Sequence, residues 1–205
     1  MMQQNIPSIV QVPSVEECMK LSDQDKKKLF RYLVDYEINK TQHSLISQHI
    51  SNYSTKQIQL LFRGSKDGFK ASKFHELCNG KQPTVSFILS EYGLIFGGFT
   101  SLSWTYDYEC YGDPSAFVFN LSKGSIHKQY QNKDKAVIHN KERMCAFGND
   151  IGIRDDCDKN RVSFSNLGNT YEKPIGYKYQ SDEAKTYLAG QEYFKVLEIE
   201  VYQLQ

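Results

Sequence analysis

The chain has 205 residues, enough for one domain with a sizeable core, and its composition is that of a globular protein rather than a disordered one. A formal net charge of +1 supplies no basic excess for counterion release, which argues against non-specific nucleic-acid binding. The five cysteines, Cys18, Cys78, Cys110, Cys145 and Cys157, form no C-x-x-C pair, so the expectation is reduced thiols in a cytoplasmic protein rather than a disulfide framework.

Up to about residue 41 the sequence reads as a helical extension. Met1 to about Val12 lacks the basic start and apolar core of a signal peptide and reads as a frayed end. Ser14 followed by Glu17 fits a capping box, and Ser22 before "DQDKKKLF" fits a second helix start with acidic residues in its first turn. Leu29, Leu33 and Tyr36 recur at helical spacing, which predicts an amphipathic helix packed on its own domain or on a partner.

From residue 42 the period changes. Ile58, Leu60 and Phe62 alternate with polar residues, and Asp67-Gly68 marks a turn. "KASKFHELCNG" reads as a short helix stopped near Gly80. "TVSFILS" and "GLIFGGF" are strands joined by a hairpin at Glu91-Tyr92-Gly93, and "SAFVFNLS" puts Phe117, Phe119 and Leu121 on one face. "KAVIHN", "RMCAFG" and "IGI" are further short strands. "SDEAKTYLAG" is predicted as a helix from Ser181 to Gly190. In the closing "YFKVLEIEVYQL", Leu197, Ile199 and Val201 face one way and Glu198 and Glu200 the other, as on a strand edge that meets solvent or a partner. Many short alternating strands with few helices predict an α+β, mostly β fold: a two-sheet antiparallel β-sandwich flanked by short helices, with an N-terminal helical extension.

The candidate chemistry is thin. Gly97-Gly98 follows a strand, but "FTSLSWTY" comes next, without a helix start, a G-K-[ST] or a G-x-G-x-x-G; the pair reads as a bend or close-packing point, not a phosphate cradle. Asp156, Asp158 and Asn160 have the first three spacings of a calcium loop, but Arg161 and Leu167 stand where glycine and glutamate should be. His75 and Cys78 are three apart on a helix with no second pair to complete a zinc site. The remaining histidines, His43, His49, His127 and His139, form no pattern. No G-x-S-x-G elbow is present, and nothing marks a cysteine as activated. The expectation is a protein without catalytic residues, metal or cofactor.

Six segments in order, "LLFRGSKDGF", "FHELCNGKQPTVSFI", "FGGFTSLSW", "SAFVFNL", "SFSNLGNTYEKP" and "YLAGQEYFKVLEIEVYQL", resemble the TLDc domain family, over residues 42–205. Trp104 lacks the proline that often precedes it in that family, and "SWTYDYECYGDPSAF" is a loop of its own. The resemblance implies a β-sandwich interaction module rather than an enzyme. It implies vacuolar-type proton ATPase subunits as partner, regulation of that pump's assembly or activity, and a role in oxidative-stress protection. Membrane association would then come only through the partner. The signature positions are Arg63, Gly64, Asp67, Gly68, Gly97, Gly98, Trp104, Asn166, Gly168, Gly190 and Glu198. Most are expected to hold turns and packing, and the exposed ones are candidates for a partner surface. Two other readings stand beside it: a structural component of a cytoskeletal or ciliary assembly docked through the N-terminal helices, and a thiol-based antioxidant enzyme.

Overall fold

A computed structural model describes residues 13–39 and 44–205. The predicted frayed end at Met1–Val12 and His43 lie outside the described residues. In chain order the elements are α1 (Val15–Lys20), α2 (Asp23–Ile38), β1 (Ile58–Arg63), α3 (Gly64–Asp67), α4 (Ala71–Cys78), β2 (Thr84–Ser90), β3 (Ile95–Thr100), β4 (Cys110–Tyr111), β5 (Phe117–Asn120), β6 (Ser125–Lys128), β7 (Val137–Ile138), β8 (Arg143–Phe147), β9 (Ile151–Arg154), β10 (Ser163–Ser165), α5 (Asp182–Thr186), β11 (Tyr193–Phe194) and β12 (Val196–Leu204). They form two antiparallel six-stranded sheets, ordered β1-β12-β2-β3-β5-β6 and β11-β10-β9-β8-β7-β4. The fold is the mostly β sandwich with short helices that the alternation predicts.

Between the sheets lies one apolar core. The first sheet supplies Phe62, Ile88, Phe96, Val118, Ile199 and Val201; the second supplies Phe147, Ile151, Ile153 and Phe194. Phe96 and Phe194 meet edge-on across the gap, with ring centroids 5.5 Å apart. Gly98 lets Phe147 of the second sheet come close as well: a Cβ there would sit 2.7 Å from the Phe147 ring. Gly97 faces the other side of the sheet, where a Cβ would lie 1.9 Å from the Ser86 carbonyl oxygen. Pairing of β2 with β3 runs through both glycines without a register shift. The pair is therefore a close-packing point and not a bulge.

The other face of the first sheet is apolar too. Val85, Phe87, Phe99, Phe117, Phe119, Tyr202 and Leu204 lie against Phe30, Leu33 and Val34 of α2 and against Ile46, Ile50 and Tyr53 of the segment after it. The predicted caps form: Ser14 and Glu17 make a reciprocal capping box, and Ser22 Oγ accepts from the Asp25 amide at 3.2 Å. The buried stripe of α2 is Lys26, Phe30, Leu33, Val34 and Glu37, rotated from the predicted Leu29–Leu33–Tyr36. Glu37 turns inward because its carboxylate has work there. It accepts from Ser44 Oγ at 2.6 Å and from the Leu45 and Ile46 amides at 3.0 Å, tying the helix end to the covering segment.

Three expectations need correction. β12 is not an edge; it sits between β1 and β2, and Glu198 and Glu200 are buried. A bulge between Val196 and Glu198 inserts one residue, so Val196 rather than Leu197 joins the inter-sheet core. The helix predicted over residues 181–190 ends at Thr186, because Leu188 and Ala189 are drawn into that core and Gly190 turns with φ +91°.

Candidate functional site

The signature residues gather at three places. The first is the turn after β1. There Asp67 Oδ2 accepts the Arg63 amide at 2.9 Å and closes the turn around α3. Gly64 lies under the Phe69 ring, where a Cβ would come within 2.4 Å, and Gly68 takes φ +87°, a conformation suited to glycine. Glu198 reaches in from β12 and accepts the Ser65 amide at 3.0 Å and the Ile199 amide at 3.1 Å.

Next to it is a charged node. The Glu200 carboxylate meets Arg63 Nε at 2.8 Å and Arg31 Nη1 at 2.5 Å, and accepts the Tyr202 hydroxyl. Arg31 comes from α2, where it also pairs with Asp35 at 2.8 Å. Burial disfavours the Arg31 charge, but its bonds to Asp35, Tyr202 and Glu200 win and hold its pKa above the ordinary value. Burial and the Glu200 bond push Tyr202 up to about 12. The node fastens helix to sheet.

The second place is the loop at Asn166 and Gly168. It folds around Asp150, whose carboxylate accepts the amides of Gly168 at 2.7 Å, Asn169 at 2.8 Å and Thr170 at 2.7 Å. The Asn166 amide donates to the Asp150 carbonyl at 2.9 Å, and Gly168 supplies the positive φ that the loop needs. Burial pushes Asp150 up to about 6 against the pull of those amides. A second buried aspartate, Asp113, gathers Thr100, Ser101 and Ser115 in the same manner, at 2.6–3.1 Å. There the hydroxyl and amide bonds outweigh burial, and its pKa is lowered. Sequence reading missed both aspartates. The amides they collect become neighbours only in the fold.

The third place is the interior. Trp104 is buried and donates its indole N–H to Thr84 Oγ1 at 2.9 Å, with Phe74 and Phe147 against its ring. Gly190 lies under Tyr92, where a Cβ would come within 2.8 Å. Of the signature positions Gly68 alone is exposed; Arg63, Asp67, Asn166 and Gly190 are half-buried and the rest are buried.

The remaining candidates also hold structure. His75 is pinned between Asn79 Oδ1 at 2.8 Å and the Asn140 and Arg143 carbonyls at 3.0 Å. In the acidic turn, Asp155 Oδ1 accepts the Ala71 amide at 2.7 Å at the start of α4, while Lys70 and Lys159 pair with Asp156. No group of His, Cys, Asp and Glu among the described residues could hold a metal. Cys18, Cys78, Cys145 and Cys157 are buried, and burial raises each thiol's pKa, Cys145 to about 12. Burial likewise pushes His127 down to about 4. A groove of about 570 Å³ between His49, Pro114, Lys128 and Lys133 contains no signature residue, and its Ser115 hydroxyl is held by Asp113. No helix among the described residues is long and apolar enough to cross a membrane.

The geometry is thus a scaffold of caps, clasps and close-packed glycines. No curated protein matches the sequence. The family model described as TLDc domain matches residues 35–205, a span that contains all the signature positions and begins inside α2, and the chain belongs to that family.

Proposed function

We propose that this chain is a non-enzymatic interaction module that binds a vacuolar-type proton ATPase on its cytoplasmic side and tunes the assembly or activity of the pump, with a part in protection against oxidative stress. The observation that carries the reading is the TLDc match over residues 35–205. The signature side chains support it by being engaged in turns, caps and packing, which leaves a rigid scaffold whose surface is free to recognise a protein. A tagged chain recovered under mild lysis is expected to bring pump subunits with it and to change proton pumping by isolated vesicles. Recovery of no pump subunit, together with unaltered pumping, would remove this reading.

The two other readings have less to stand on. The apolar stripe of α2 is covered by the first sheet, so that helix does not offer it as a docking arm. Four of the five thiols are buried with raised pKa values, the opposite of what a thiol nucleophile needs.

A further inference from the structure

Arg143 of β8 and Arg154 of β9 stand directly opposite each other across their strand pair. Both lie on the outer face of the second sheet, since Ile151 and Ile153 alternate with Gly152 and Arg154 and point into the core. Like charges in this position repel. Every other arginine of the chain is ion-paired: Arg31 and Arg63 with Glu200, Arg161 with Glu91. Among the described residues no carboxylate pairs with Arg143 or Arg154. Arg143 Nε and Nη1 are buried and have no hydrogen-bond partner, as is true of Arg31 Nε and Arg63 Nε, but those two guanidinium groups have Glu200 as counter-charge. Its guanidinium lies 5.6 Å from the centre of the Phe164 ring. Phe164 pairs in turn with Tyr193, which is 54% exposed. Two arginines thus run into two aromatic rings along the outer face of the second sheet, where Arg143, Arg154 and Phe164 are half-buried and Tyr193 is exposed; these are residue types that anchor protein interfaces.

We propose that this face docks an acidic peptide segment of a partner protein: two carboxylates pair with Arg143 and Arg154 while an apolar side chain lies along Phe164 and Tyr193. Charge selects this occupant. A second copy docked face to face would bring four guanidinium groups together. A nucleic acid would need a wider basic surface than a chain of net charge +1 offers. The proposal rests on reading the domain as a protein-binding module, not on the identity of the pump.

The test is a selection of random 16-residue displayed peptides on the intact chain, followed by affinity measurements on the winners. Expected are peptides rich in Asp and Glu that bind at least tenfold more weakly to R143Q/R154Q, and more weakly with rising salt. The Arg143 Nε–H resonance of the unaltered chain should shift on titration. Thermal melting checks that the double variant folds; if it does not, the single variant Arg154→Gln and the Nε–H titration carry the test. Winners without acidic enrichment, or equal binding to the variant, overturn the proposal. So does a preference for an oligonucleotide probe, or a dimer that Arg154→Gln dissolves. Pump recovery without acidic winners overturns this proposal alone; acidic winners without pump recovery overturn the pump reading alone.

Discussion

The two sheets have opposite outer faces. On the first, apolar side chains are sealed under α2 and the segment after it, and the charges at the margin, Arg31, Arg63 and Glu200, are ion-paired with one another. On the second, no apolar cluster forms among the described residues, and Arg143 and Arg154 face each other without a carboxylate. An internal interface closes its electrostatics within the chain. On the reading proposed above, the second face takes its counter-charges from a partner.

That contrast can be broken by substitution, and the covered face should suffer most. Gly97→Val drives a Cβ into the Ser86 carbonyl of the neighbouring strand, which cannot move without unpairing β2. The expected cost is above about 3 kcal/mol in denaturant unfolding, with loss of soluble protein as the readable outcome. Phe30→Ala removes a ring that is 1% exposed between helix and sheet, at about 3 kcal/mol in the same assay. Glu200→Gln leaves Arg31 and Arg63 without their shared counter-charge. Because both guanidinium groups keep partial access to water, about 2 kcal/mol is expected, and hydrogen exchange should rise in α2 before the inter-sheet core loosens. Gly152→Ala on the second face is the control. The atoms nearest its Cβ would be those of the Phe164 ring, at 2.4 Å, and a half-buried ring can swing aside, so about 1 kcal/mol is the expected loss. A cost equal to that of Gly97→Val would mean that the second face is as tightly closed as the first.

The sandwich was legible in the sequence because strand alternation is local: Phe117, Phe119 and Leu121 share a face in the sequence and in the fold. The glycine pair was legible as close packing because no helix followed it. Other features depend on partners distant in the chain. Glu198 and Glu200 alternate like solvent-facing residues, and only the position of β12 between β1 and β2 buries them. Arg143 and Arg154 become neighbours through the β8–β9 register, which no local pattern announces. The change of period near residue 41 suggested a separate extension, yet α2 shares a core with strands that come well after it.

The placement of β12 has a consequence in time. β1 and β2 do not touch each other as neighbours in their sheet; each pairs with β12, a strand more than a hundred residues later. Glu200 and Tyr202, to which Arg31 of α2 binds, arrive on that same strand. During synthesis the earlier elements therefore wait with an open slot in the first sheet, and the domain closes as a unit only when its final strand has been made. A nascent chain stopped before Val196 would carry two unsatisfied strand edges, which makes truncated products of this domain material for chaperones and proteases rather than partial modules.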